Sequence, residues 1–174
     1  MITFGWFGPL MWAAVVVAVI AFASIVGPIL FGAPWVPMPF HTARRMLQLA
    51  DVRPGETVCD LGSGDGRVLI VAAREFGANG VGVEIEPLRA FISRLTLFVL
   101  GLRRRTRVIR ANFLEVDLGD ADVITLYLLP KAIRRLAPKL RAELKPGARV
   151  VTLTYHLPDW PPAVERDNIR VYRI

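Results

Sequence analysis

Seven consecutive residues, Asp60-Leu61-Gly62-Ser63-Gly64-Asp65-Gly66, join an acid to three alternating glycines. Glycines let a backbone turn sharply and come close to a ligand. The apolar run Thr57–Leu61 before the loop reads as a strand, and Arg67–Phe76 after it reads as a helix with Leu69, Ile70, Ala73 and Phe76 near one face. The loop therefore delivers a ligand to a helix N-terminus, where free N–H groups and positive potential favour an anionic group. Glu84 closes the next strand pattern, 18 positions after Gly66. A carboxylate at that place can accept hydrogen bonds from both hydroxyls of a ribose. Strand, glycine loop, helix and strand-end acid together describe a nucleotide-type site.

The spacing narrows the ligand. A dinucleotide fingerprint is G-x-G-x-x-G, which would need glycine where Arg67 stands. A phosphate-binding P-loop needs Gly-Lys-Ser/Thr, which does not follow. An acid two residues before G-x-G-x-G suits a ligand with an amino-acid end and no pyrophosphate. Asp60 can meet its ammonium group, and the loop backbone can receive the nucleoside.

The elements that must hold this loop follow it in alternation. Strand patterns fall at Val81–Glu84, Val108–Ala111, Asp122–Leu126 and Arg149–Leu153, with a last one at Ile169–Ile174 after the turn Asp167-Asn168. Helix patterns fall at Pro87–Leu102 and at Pro130–Leu144, where Pro138 argues for a break. Such β/α alternation predicts a parallel sheet with helices on both faces. Thr42 is expected to cap a short helix Ala43–Leu49. The segment Leu88–Leu102 leaves almost no polar face, which an outer helix should have. It is either deeply covered or rests on a bilayer beside the cluster Arg103, Arg104, Arg105, Arg107 and Arg110.

Ahead of this domain, Met1 to Ala43 contains no Asp, Glu, Lys or Arg, and the whole net charge of +7 lies beyond it. Leu10–Phe31 is long and apolar enough for one transmembrane helix, over about 9–31. A cleaved signal peptide would need a basic start and a shorter apolar core. Trp6, Trp12 and Trp35 lie near the two ends, where indoles favour the interface. Arg44, Arg45 and Arg53 follow the segment and none precedes it, which predicts a single-pass membrane protein with a cytoplasmic C-terminal domain. The expected division is an anchor over 1–33, a linker and pre-motif helix over 34–56, and the catalytic domain over 57–174.

Chemistry outside the loop is sparse. Cys59 is the only cysteine and sits in a strand pattern, so it reads as a packing residue. With His41 and His156 beside it, no metal-ligand spacing exists, and no metal is expected. The basic balance admits anionic partners, but the arginine cluster lacks interleaved aromatics for stacking bases, so nucleic acid is the least favoured of them.

The loop resembles the cofactor motif of class I S-adenosylmethionine-dependent methyltransferases. More narrowly, the chain resembles small protein-lysine methyltransferases of archaea and mitochondria, whose mitochondrial members are membrane-anchored and modify the adenine nucleotide translocase and the ATP synthase c-subunit. The resemblance is carried by Pro34-Trp35-Val36-Pro37, Asp60 to Arg67, Gly82-Val83-Glu84, Asn112 to Asp117, Leu126 to Pro130, Leu144 to Val151 and Pro158-Asp159-Trp160. It implies a Rossmann-like sheet and S-adenosylmethionine as cofactor. It implies that Asp60, Gly62, Ser63, Gly64 and Gly66 hold the methionine end and adenosine, that Glu84 binds the ribose, and that Asn112 and Phe113 bracket the adenine. Tyr127 to Pro130 would line the methyl-transfer site. Met38 departs from the pattern, standing where the family has Ser or Thr, and the tail after Trp160 leaves room for only a minimal final hairpin.

A lysine acceptor must be neutral to attack, although its ordinary pKa is about 10.4. Tyr127 and Tyr155 are the catalytic candidates near the channel, with His156 a weaker one. The expected function is methylation of a lysine in a membrane or membrane-proximal protein. Two readings stand beside it: a lipid, quinone or other small-molecule methyltransferase at the membrane, and a cofactor-binding membrane protein without activity.

Overall fold

The computed structural model describes the backbone of residues 7–30 and 36–174, and the side chains of 8–19 and 36–174. The chain divides into two units, Met1–Trp35 and Val36–Ile174. The first contains helix α1, Phe7–Leu30. Its described side chains, among them Leu10, Trp12, Val16 and Val19, are exposed. Trp6, Trp35 and the Ala33-Pro34-Trp35 part of the linker lie outside the described residues.

The expected membrane anchor is not supported: among the described residues no helix is long and apolar enough to cross a membrane. The expected single-pass localisation is likewise not supported among these residues.

The second unit is built on a seven-stranded sheet in the order β3-β2-β1-β4-β5-β7-β6. Its strands are β1 Thr57–Leu61, β2 Asn79–Glu84, β3 Thr106–Arg110, β4 Val123–Leu126, β5 Arg149–Leu153, β6 Val164–Arg166 and β7 Ile169–Arg173. The first five are parallel, as the alternation predicts. The sheet is not parallel throughout: β7 runs antiparallel to β5, and β6 antiparallel to β7. This hairpin turns at Asp167 and Asn168, both at positive φ (53° and 63°). Two successive left-handed residues make the tight turn whose twist suits a hairpin.

The helices of this unit are α2 Phe40–Leu49, α3 Arg67–Glu75, α4 Pro87–Val99 and α5 Pro130–Glu143. One face of the sheet is covered by α2 and α3, whose Met46, Leu47, Val68 and Val71 pack with Val58, Val123 and Val151. Alongside them α4 sets Ala90 and Leu97 against Leu69 and Val108. The other face is covered by α5, with Ile133, Leu136 and Leu140 against Ile124, Leu126 and Val150. Burying each such side chain is worth about 1.5–3 kcal/mol.

Two local expectations change. Helix α2 begins at Phe40, so Thr42 is not its cap; the Thr42 and Ala43 N–H groups both donate to the Pro39 carbonyl, at 3.0 and 3.1 Å. Helix α5 runs through Pro138 unbroken. Pro138 is exposed, so the carbonyl that loses its helical partner there can turn to water.

Candidate functional site

The glycine loop leaves the C-terminal end of β1 at the middle of the sheet. From β1 the chain winds outward through β2 to β3, then returns to β4 on the other side of β1 and winds outward to β5, so a crevice opens above the ends of β1 and β4, where such sheets bind ligands. Gly62 N–H and Ser63 N–H both donate to the Val83 carbonyl of β2, at 2.8 and 3.0 Å. Gly66 N–H closes a turn onto the Ser63 carbonyl at 2.9 Å and caps α3 with φ 84°. A side chain at Gly66 would be strained at that φ and would collide with Ser93 of α4.

Four polar side chains are buried at this point: Asp60, Ser63, Glu84 and Thr125. Asp60 Oδ1 accepts a 2.5 Å hydrogen bond from Thr125 Oγ1 on the adjoining β4. Burial pushes the Asp60 carboxyl up to about 7, against the Thr125 hydrogen bond that lowers it; the charges of Glu84 and Asp65 add to the rise. A buried carboxyl held this way is poised for a cationic partner. Glu84 Oε2 accepts from Gly64 N–H at 3.0 Å, and Oε1 accepts from Glu86 N–H at 2.9 Å. Glu84 thus fastens the loop to the end of β2 and keeps further lone pairs for ligand hydroxyls.

Ser63 Oγ is buried without a hydrogen-bond partner, and it packs where a Cβ on Gly82 would come within 2.6 Å, so the side chain wedges the loop against β2.

Asn112 and Phe113 follow β3 on the same edge. Asn112 Oδ1 takes the Leu114 N–H at 3.1 Å, and half-buried Phe113 packs on the core of the α5 face. Tyr127 and Tyr155 are both half-buried, just past the ends of β4 and β5. Tyr127 packs against the α2–α3 side and Tyr155 against the α5 side. His156 is exposed. Cys59 is buried, and burial pushes its thiol up to about 12, so it supplies no nucleophile. Among the described residues, no group of three or more metal-ligating side chains comes together.

Thr125 escapes a sequence reading, though a threonine inside the otherwise apolar Val123–Leu126 is a signal. Leu128 backs the loop, 3.0 Å from where a Gly62 Cβ would lie. Arg67 reaches Asp65 at 2.7 Å and the Met38 carbonyl at 3.1 Å, and stacks over Phe40 at 5.5 Å. Met38 itself is buried among Ala43, Met46 and Val68, so its side chain packs and its backbone makes the polar contact.

A glycine cradle flanked by the buried acids Asp60 and Glu84 fits S-adenosylmethionine, and relatives agree. The sequence profile of the ANTKMT methyltransferase domain matches residues 60–164. A protein-lysine N-methyltransferase of Saccharolobus islandicus is 42% identical over 130 residues, 74% of this chain and 81% of that protein. The mouse adenine nucleotide translocase lysine N-methyltransferase is 35% identical over 136 residues, 78% of this chain. The Xenopus laevis lysine N-methyltransferase of the ATP synthase c-subunit is 32% identical over 129 residues, 74% of this chain. The chain spans little more than half of these two relatives, 58% and 56% of their lengths. Among solved structures, an RNA methyltransferase from Salinibacter ruber bound to S-adenosyl-L-homocysteine superposes with a TM-score of 0.74. It is 40% identical, over 79% of this chain and 92% of that one. The chain belongs to the ANTKMT methyltransferase family and is an S-adenosylmethionine-dependent methyltransferase.

Proposed function

We propose that this enzyme methylates the side-chain amine of lysine in a membrane or membrane-proximal protein. The observation that carries the reading is the cluster of Asp60, Glu84 and the 62–66 loop, in a chain similar to enzymes named for lysine methylation. Asp60 would take the ammonium group of the cofactor. The loop backbone would lie along its methionine end, Glu84 would hold the ribose, and Asn112 with Phe113 would flank the adenine. The bound cofactor supplies an electrophilic methyl group on a sulfonium. A lysine nitrogen would accept that methyl group, the electron pair of the carbon–sulfur bond staying on sulfur and the nitrogen's proton going to water. The protein's part is to align the two groups and to hold the amine neutral. Tyr127 and Tyr155 would be the candidates to orient that amine through a hydroxyl.

A second reading has its own support. The Salinibacter ruber structure carries the name of an RNA methyltransferase, and this chain is basic. One experiment separates the acceptors: purified enzyme, methyl-labelled S-adenosylmethionine and native membranes with total RNA, fractionated into protein, lipid and RNA. Label in protein is expected. Label confined to RNA or to lipid would replace the lysine reading, and no label in any fraction would favour a binding protein without activity.

A further inference from the structure

Helix α4 carries two apolar faces. Ala90, Ser93 and Leu97 face the core, and all three are buried. Leu88, Phe91, Ile92, Leu95, Phe98 and Val99 are exposed, with Phe91 at 60% and Val99 at 72%. At 3.6 residues per turn the second set spans an arc of about 120° and points away from the first. The Leu88–Leu102 segment is therefore not deeply covered, against the first of the two readings of its sequence. A folded domain gains nothing by presenting such a stripe to water; a stripe of this kind marks a contact surface.

Charge says what the contact is. From Pro87 to Arg110 no acidic residue occurs, while Arg89, Arg94, Arg103, Arg104, Arg105, Arg107 and Arg110 do. Arg103, Arg104 and Arg105 are exposed just past the helix end. The Arg103 guanidinium lies over the Phe98 ring, 5.3 Å from its centroid, so basic and apolar groups form one continuous surface. Among the described residues, neither Arg103 nor Arg104 enters an ion pair. A second copy of the chain on this face would bring like charges together. An anionic bilayer surface accepts both halves, apolar side chains below the headgroups and guanidinium groups among them.

We infer that the outer face of α4, with Arg103 and Arg104, docks this enzyme on anionic lipid surfaces. The helix lies flat there and does not span. Its N-terminus follows Glu84 directly, and Ile85 between them is 63% exposed, so docking brings the cofactor crevice to the lipid boundary. The docking does not rest on the identity of the methyl acceptor.

The test places a polarity-sensitive fluorophore on the full-length Val99→Cys variant. Cys59 does not compete, being buried with its thiol pushed up to about 12. An Arg166→Cys label on β6, at the opposite edge of the sheet, is the control. With phosphatidylglycerol/phosphatidylcholine vesicles the position-99 label shifts to the blue and the control does not. Arg103→Glu with Arg104→Glu weakens the apparent lipid affinity at least about tenfold. A label that stays aqueous, or shifts equally on pure phosphatidylcholine, overturns the inference. So does a shift without vesicles that grows with protein concentration, which would assign the face to self-association.

Discussion

Thr125 Oγ1 donates a 2.5 Å hydrogen bond to Asp60 Oδ1, and the two residues are register partners on β4 and β1. The carboxylate that defines the cofactor loop is therefore aimed by the neighbouring strand. Thr125 is fully buried, so removing its hydroxyl leaves Asp60 with less support for its charge. Thr125→Val keeps the shape of the side chain and raises the pH at which Asp60 ionises. Titration of cofactor binding against pH should show the midpoint moved upward, with the plateau affinity nearly kept.

Asp60→Asn removes the charge and keeps the size. A hydrogen bond to a charged group is worth about 1.5–3 kcal/mol. Calorimetry should show S-adenosylmethionine bound about tenfold to a hundredfold more weakly, with the thermal stability of the free enzyme kept or raised. Equal affinity in both proteins would remove Asp60 from the ammonium contact.

The pH dependence of binding and that of stability have opposite signs. The Asp60 carboxyl lies at about 7 in the folded chain against 3.8 ordinarily, so the folded state holds that proton more tightly. Its stabilising contribution to the free enzyme is present below about pH 4 and is lost as pH rises through 7. Cofactor binding needs the charged form. Affinity should fall about tenfold for each unit below pH 7, with proton release on binding, measured by calorimetry in buffers of different ionisation enthalpy.

Gly82 makes room for the loop. A methyl group there would meet Ser63 Oγ at 2.6 Å and Leu69 Cδ1 at 2.8 Å. Gly82→Ala should cost about 1–3 kcal/mol by denaturant unfolding and weaken cofactor binding as well. The double variant Gly82→Ala with Ser63→Gly should recover much of both. Failure of that rescue would contradict the wedge role of Ser63.

Tyr127→Phe and Tyr155→Phe leave the cofactor affinity unchanged. The hydroxyl that orients the lysine amine should show itself as a kcat lowered about tenfold, roughly the worth of one hydrogen bond. Unchanged kcat in both variants would leave positioning to the backbone and the apolar walls.

The parts legible in the sequence were those with local causes. Strands β1 and β5 begin and end where their apolar runs do, because the turns Arg53-Pro54-Gly55 and Lys145-Pro146-Gly147 bound them. The loop was legible because glycine spacing is a backbone requirement, as Gly66 at φ 84° illustrates. Strand β6 was not: its three residues include Glu165 and Arg166, and only pairing with β7 makes them a strand. Thr125 beside Asp60 depends on the β1–β4 register, which no local pattern encodes. The inward or outward choice of the two apolar faces of α4 is likewise a property of packing.

Lysine methylation at the Asp60 site is tested most directly by mass spectrometry of membrane proteins after incubation with this enzyme and S-adenosylmethionine carrying a deuterated methyl group. The heavy methyl is expected on a lysine Nζ, and its loss is expected with Asp60→Asn. Heavy methyl absent from every lysine, with label recovered on RNA or lipid, would contradict lysine as the acceptor.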